Sequence, residues 1–393
     1  MARIAFVEFS PSGGLFQFAA QLGEALAEQG HDVHLYTGPR PELSAGHPGF
    51  RIHAALPTWH PLDEKPRGPL LRKARRVLRA GQLVLAWLVL LARLRRDRPD
   101  AVFFSTWRFA LDALGVLALD RLLPRATLGI VAHEPRVMTD ADTTKAKAGP
   151  VFDRALPAAW RAMDLCFTLG DEARDRLLKH WRPSGPVIVI PHGDESALRG
   201  DAPVPPVSGT RPVALFFGLW TAYKGIDVLL DAWPAVRAAV PDAELVVAGA
   251  IGGADRAAIE AKARAAGGVT TRPGYVPNTE IPALFGAARV VTIPYLRASQ
   301  SGVAHLAFTF DRPVVATTVG DIPKVVRDGV SGLLAPPGDA PALAEALIAL
   351  LSDSGRAEEY GRAGAEWLAE TSSWTAVARR FSEGLAGAQA PGS

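Results

Sequence analysis

Short runs of apolar residues alternate with longer amphipathic stretches along almost the whole chain. Residues 3–8, apolar at 4–7, read as a strand, followed by the turn Ser10-Pro-Ser-Gly-Gly14. Residues 16–29 carry the 3.6-residue period of a helix, which stops at Gly30. Further strands are expected at 31–37, 50–55, 99–105, 126–132, 165–169 and 186–190. Helices are expected at 70–96, 109–122, 152–162 and 171–180. Strands alternating with helices imply a mostly parallel sheet covered on both faces.

At 201–212 the pattern breaks. This stretch, Asp201-Ala-Pro-Val-Pro-Pro-Val-Ser-Gly-Thr-Arg-Pro212, is rich in proline and lacks helical period, so it reads as a linker. Alternation then resumes. Strands are expected at 213–217, 243–248, 269–272, 290–293, 314–317 and 331–334. Helices are expected at 225–240, 254–266, 279–286, 302–310, 322–327, 341–352, 355–370 and 374–388. The fold class is therefore α/β, with two Rossmann-like doubly wound domains in series. Such domains bind ligands at the carboxyl ends of their strands, so the functional crevice is expected where the two face each other.

Composition adds limits. A chain of 393 residues exceeds what one core usually organises. Its hydrophobic share of 48% and charged share of 21% are those of a folded soluble protein. The single cysteine, Cys166, allows no intrachain disulfide and argues against a cysteine-based metal site. It fits a reducing compartment, so a cytoplasmic location is expected. The amino-terminal residues read as a strand rather than a signal peptide.

The formal charge is only +3, yet Lys65, Arg67, Arg72, Lys73, Arg75, Arg76, Arg79, Arg93, Arg95, Arg96 and Arg98 crowd one segment in which Asp97 is the only acid. Between them, residues 83–92 are apolar, too short a run for the roughly 20 residues of a spanning helix. Two readings stay open for the basic helix 70–98. Its apolar stretch packs beneath the first sheet, or its flanks lie on an anionic membrane surface, at the inner face of the membrane. No aromatic stripe interleaves the cations, so nucleic acid is not an expected partner.

Three segments carry candidate chemistry. The Ser10–Gly14 turn lets backbone approach an anion at a helix start, or simply turns tightly, and it is not the G-x-G-x-x-G fingerprint. In Phe216-Phe-Gly-Leu-Trp-Thr-Ala-Tyr-Lys-Gly-Ile-Asp227 a strand ends at Gly218, and Lys224 sits beside a glycine just before a helix. A flexible cation there suits a diphosphate. In Pro294-Tyr-Leu-Arg-Ala-Ser-Gln-Ser-Gly-Val303, Ser301, Gly302 and Val303 stand at a helix start, another place for phosphate. His133 and Glu134 end a strand, and His192 opens a loop; both places are expected to line the crevice. Asp140-Ala-Asp142 spells a D-x-D, but two carboxylates make a poor metal cage.

In this order and spacing the segments resemble the retaining glycosyltransferases of glycosyltransferase family 4, whose fold is GT-B. Further matching pieces are Pro99-Asp100, Val131-Ala-His-Glu134, Ile190-Pro-His-Gly193, Arg272-Pro-Gly-Tyr-Val-Pro277, Pro313-Val-Val-Ala-Thr317 and Asp328-Gly-Val-Ser-Gly-Leu-Leu334. The resemblance implies an acceptor domain at 1–198 with 374–393 packing back on it, a linker at 199–212 and a donor domain at 213–373. It implies a sugar moved from a nucleotide-sugar donor to a glycan, lipid-linked or natural-product acceptor, with retention and with no metal or other cofactor. A UDP-sugar is expected ahead of a GDP-sugar. It casts Lys224 and His133 as catalytic, and Gly14, Gly218, Lys224, Tyr275, Val276, Ser301, Gly302 and Val303 as donor-binding. Glu134, His192, Arg272 and Arg297 become lining residues.

The chain also departs from the family pattern. The usual arginine after the strand-end glycine is replaced across Leu219, Trp220 and Thr221, which leaves Arg272 or Arg297 as stand-ins. The usual glutamate pair falls at Ala298 and Leu306. Those losses keep two rivals in view, a non-catalytic partner subunit and a nucleotide-sugar epimerase on the same fold.

Overall fold

The computed structural model describes every residue except 61–62, 64–68, 106, 108–109, 134–149, 201–202, 299 and 391–393. It forms two compact units, Met1–Pro191 with Trp374–Ser393, and His192–Ser373.

The first unit runs β1 (Arg3–Glu8), α1 (Gly14–Glu28), β2 (Asp32–Thr37), β3 (Phe50–Ala54), α2 (Pro69–Asp97), β4 (Ala101–Phe104), α3 (Ala110–Leu122), β5 (Thr127–Ala132), α4 (Pro150–Arg161), β6 (Leu165–Thr168), α5 (Asp171–His180) and β7 (Val187–Val189). Its strands form one sheet in the order β3-β2-β1-β4-β5-β6-β7, and every pairing is parallel. Both faces are buried, as the unbroken apolar strands require. Ile4 and Phe6 of β1 enter one core and Ala5 and Val7 the other. The last helix, here numbered α14 (Trp374–Ala388), closes the first of these cores. Its Phe381 ring lies 4.6 Å from Phe103 and 4.5 Å from Phe167.

The second unit runs α6 (Ser196–Arg199), β8 (Val213–Phe217), α7 (Ile226–Ala239), β9 (Glu244–Gly249), α8 (Arg256–Ala266), β10 (Val269–Pro273), α9 (Ile281–Ala287), β11 (Val290–Ile293), α10 (Gly302–Thr309), β12 (Val314–Thr317), α11 (Ile322–Val325), β13 (Gly332–Ala335), α12 (Ala340–Ser352) and α13 (Ser354–Thr371). Its sheet order is β10-β9-β8-β11-β12-β13, again all parallel. Both sheets thus reverse their winding beside a central strand, between β1 and β4 and between β8 and β11. In open α/β sheets that reversal opens the crevice used for ligands.

The proline-rich stretch is not a free tether along its described length. Val207 is buried in the core of the second unit. The fully buried Arg312 donates from Nη2 to the Pro205 carbonyl oxygen at 2.8 Å, and from Nε and Nη2 to the carbonyls of Phe285 and Gly286, also at 2.8 Å. Three carbonyl acceptors take the Nε and Nη2 protons and offset part of the cost of burying the guanidinium, while Nη1 has no partner among the described residues. The boundary between units lies at Pro191 and His192.

Candidate functional site

The second unit builds its site at the reversal between β8 and β11. Beyond β8, Gly218 has φ 135° and stacks against Gly249 of β9, φ 144°. A Cβ on Gly249 would lie 1.8 Å from the Gly218 carbonyl oxygen, so only glycine permits the approach. Trp220 N–H then donates to Ala250 O at 2.7 Å, and its side chain is fully buried. A single 3-10 turn over Ala222–Lys224 leads into Gly225, which starts α7 with φ 70°. A Cβ there would meet the Pro294 carbonyl oxygen at 1.8 Å. The bare glycine therefore lets this turn lie directly against the segment after β11, and Leu296 N–H donates to Tyr223 O at 2.8 Å to fix it.

That approach delivers Lys224 to Tyr295. The Lys224 Nζ donates to Tyr295 Oη at 2.6 Å and stands 4.0 Å from the Tyr295 ring centroid. The Tyr223 ring lies 5.8 Å from the same ammonium. Tyr295 is 2% exposed, and its carbonyl accepts from Thr317 Oγ1 at 2.5 Å. Ser301 Oγ also donates to Tyr295 Oη, at 3.4 Å. A phenol oxygen has two lone pairs and one proton. Here the lone pairs face a cation and a hydroxyl.

Ser301 stands at the N-cap of α10, yet its side chain makes no capping hydrogen bond. Its hydroxyl is turned to Tyr295 instead, so the serine does not cover the first N–H groups of the helix. Beneath this end lie two buried imidazoles. His192 and His305 pack at a tilt of 30° with centroids 4.9 Å apart, and His305 Nδ1 lies 3.4 Å from Ser301 O. Gly302 is close-packed on this pair, since a Cβ would come 2.9 Å from His192 Nε2. Burial pulls His192 down to about 4. Burial, with repulsion from His192, pulls His305 down to about 3. Both are neutral at pH 7.

The other expected residues fall as follows. Tyr275 and Val276 are half-buried in the loop after β10, reached through Gly274, whose N–H donates to Gly249 O at 2.9 Å. Arg272 pairs with Glu280 at 3.6 Å. Arg297 is exposed, with its guanidinium 5.9 Å from the Tyr223 ring that also faces Lys224. Of the two arginines offered as stand-ins, only Arg297 shares a ring with Lys224. His192, expected on a crevice wall, is instead buried under Gly302, 8% exposed. Ala298 and Leu306, at the positions of the usual glutamates, are both buried in the hydrophobic core.

In the first unit the glycine turn is occupied by the chain itself. Gly13 N–H donates to Glu42 Oε2 at 3.0 Å, and Gln17 Nε2 to the same oxygen at 3.3 Å. Gly14 begins α1 directly behind this carboxylate. One turn further, Phe18 meets the half-buried His133 edge-on at 4.7 Å and Trp374 at 5.2 Å. Glu134, Asp140 and Asp142 lie outside the described residues.

Sequence reasoning missed Tyr295, Thr317, His305 and Glu42. Tyr295 had a local signal, as an aromatic two residues beyond a central strand. Nothing in the spacing linked it to Lys224, 71 residues away.

Residues 12–194 match Glycosyltransferase Family 4, and residues 211–353 match Glycosyl transferases group 1. The D-inositol 3-phosphate glycosyltransferase of Salinispora tropica is 32% identical over 277 residues, 65% of this chain; the chain spans 52% of that relative's length. The phosphatidyl-myo-inositol mannosyltransferase of Mycobacterium leprae is 27% identical over 391 residues, which cover 95% of this chain and 92% of the relative. Among solved structures, sucrose-phosphate synthase from Thermosynechococcus elongatus superposes with a TM-score of 0.73 at 21% identity, over 98% of each chain. This last likeness is one of fold, and the fold is GT-B.

Proposed function

From the premise that the chain belongs to glycosyltransferase family 4 (glycosyl transferases group 1) and is a glycosyltransferase of the GT-B type, we propose that it moves a sugar from a nucleotide-sugar donor to an acceptor hydroxyl with retention at the anomeric carbon. The observation that carries this reading is the Lys224 ammonium, hydrogen-bonded to Tyr295 at 2.6 Å beside Gly218 and near the α10 start. The donor diphosphate lies against Lys224, the Tyr295 hydroxyl and the N–H groups of Gly302 and Val303. Tyr275 and Val276 offer backbone to the base, which is uracil in our reading.

In the transfer step the bond from the anomeric carbon to the diphosphate oxygen breaks, and the nucleoside diphosphate leaves with the electron pair. The acceptor oxygen bonds to the same face of the sugar, and its proton passes to the leaving phosphate oxygen. Lys224 balances the charge that grows on that oxygen, where one positioned charge counts for several kcal/mol. No metal takes part in this reading. A lipid-linked acceptor is favoured, since the Mycobacterium leprae relative is by name a phosphatidyl-myo-inositol mannosyltransferase.

Lys224→Ala is expected to lower kcat/KM by roughly 100-fold, about 3 kcal/mol of transition-state stabilisation. Activity within about twofold of wild type would remove Lys224 from the diphosphate. Thermal shift with UDP-, GDP- and dTDP-sugars identifies the base, and NMR of the product fixes its configuration; an inverted product overturns the step above. A second reading, a non-catalytic partner subunit, is favoured by the buried, apolar Ala298 and Leu306. Calorimetry with no heat of binding for any of these nucleotide-sugars would select it.

A further inference from the structure

Helix α2 has two apolar faces, and the fold uses only one. Leu83, Ala86, Trp87, Leu90 and Leu94 are buried in the core of the first unit, and Trp87 Nε1 donates to Asp112 at 2.9 Å. On the opposite side Leu71, Ala74, Leu78, Gly81, Leu85, Leu88 and Ala92 are all exposed. Their alternating spacing of three and four residues sets them in one continuous seam along the helix. Val77 and Val84 widen it, at 69% and 46% exposed, and Leu78 and Leu88 reach 63% and 59%. A chain does not ordinarily give that much contiguous apolar surface to water.

The cations decide what covers it. Lys73 flanks the seam at its start, and Arg95 and Arg96 stand at its end, all exposed. Asp97 is the only acid in the helix and is already hydrogen-bonded by Arg96 and Tyr36. We propose that the outer face of α2 docks on an anionic lipid leaflet, with Leu71, Leu78, Leu85 and Leu88 seated among the acyl chains and Lys73 and Arg95 on the phosphate headgroups.

Two other occupants fit less well. In a pair of α2 helices from two copies, both ends of the seam are basic, so parallel and antiparallel registers alike bring cation against cation, with no carboxylate along the seam to relieve it. A crossing of the membrane is also disfavoured. The helix is long and apolar enough by length and composition, but crossing would strip Trp87 from Asp112 and five side chains from the core. The helix therefore lies in the interface plane, as a strongly amphipathic basic helix does.

The test uses the full chain and cosedimentation with vesicles. Wild type binds vesicles of phosphatidylglycerol and phosphatidylcholine in equal parts, binds pure phosphatidylcholine far more weakly, and loses binding as salt rises. Lys73→Gln with Arg95→Gln weakens binding roughly 30-fold. Leu85→Gln with Leu88→Gln weakens it by about tenfold or more. These exposed substitutions leave the melting temperature within about one degree, and sugar transfer to a water-soluble acceptor is unchanged. The proposal is overturned if wild type ignores anionic vesicles, or if the leucine variant binds as tightly as wild type. It is also overturned if wild type sediments as a dimer that the leucine variant dissociates, which would make the seam a contact between copies. Vesicle binding does not depend on sugar transfer, so either result leaves the catalytic reading to its own test.

Discussion

The two units have the same winding, yet they treat the turn after their central strand in opposite ways. In the first, the Gly13 turn after β1 is met by the protein's own carboxylate, Glu42, which takes hydrogen bonds from Gly13 N–H and Gln17 Nε2. In the second, the turn after β8 brings a cation, Lys224, beside Tyr295, and the nearby α10 start leaves Ser301 turned away from its capping role. One turn is met by the protein's own carboxylate, and the other carries a cation, which in the proposed function meets the donor diphosphate. A shared topology fixes where an anion can sit, and the side chains decide whether it belongs to the protein or to a ligand.

Among single substitutions, the comparison can be broken most severely at Gly225. Its φ of 70° and the Pro294 carbonyl within reach of any Cβ make Gly225→Val costly, on the order of 4 kcal/mol or more. Denaturant unfolding should then show a destabilised second unit with the first unit's transition unmoved; unchanged stability would mean that the turn does not depend on this approach. Lys224→Ala, at about 3 kcal/mol in the transition state, ranks next.

Acid separates the units through the two histidines. His192 and His305 are held neutral in the fold, at about 4 and about 3, against about 6.5 when unfolded. Between those values the unfolded chain binds more protons, so the stabilisation is complete above about pH 6.5 and is lost as pH falls towards 4. The expected loss by pH 4.5 is roughly 2.5 kcal/mol for each histidine, on the order of 5 kcal/mol for the pair. Calorimetry at pH 7 and pH 4.5 checks it, and His305→Leu should flatten the dependence. If the variant keeps the full acid sensitivity, the pair is not its source.

Smaller effects sharpen the contrast. Tyr295→Phe keeps the ring under the ammonium but removes the oxygen shared by Lys224 and Ser301, and should lower kcat/KM about tenfold, roughly 1.4 kcal/mol. An unchanged donor KM with wild-type kcat would strip the phenol of that role. Glu42→Gln weakens the charge-assisted bond to Gly13 and should cost the first unit about 1 kcal/mol on thermal unfolding, without altering donor binding. A changed donor affinity would show that the first turn also receives a ligand.

Much of this was readable along the chain. Unbroken apolar strands gave two parallel sheets, and glycines beside Lys224 marked a turn before a helix. The same reading gave the proline-rich 201–212 segment as a linker, whereas Val207 and the Arg312 contact to Pro205 attach it to the second unit. Proline content reports the missing helix and says nothing of what the backbone carbonyls meet. His192 was likewise read from its loop, while its burial comes from His305, more than a hundred residues later.

Sequence by itself determined the alternation of strand and helix, the two-unit plan, the family and the position of Lys224, because each rests on local period or on short contiguous motifs. It also gave the charge of α2 and its apolar stretch. Only the tertiary structure decided which face of α2 is buried and which is left outside, and which phenol holds Lys224. It alone showed that the glycine turn of the first unit already holds a carboxylate. Those outcomes depend on groups far apart in the chain being packed together, and spacing along one strand or helix carries no record of what comes to rest against it.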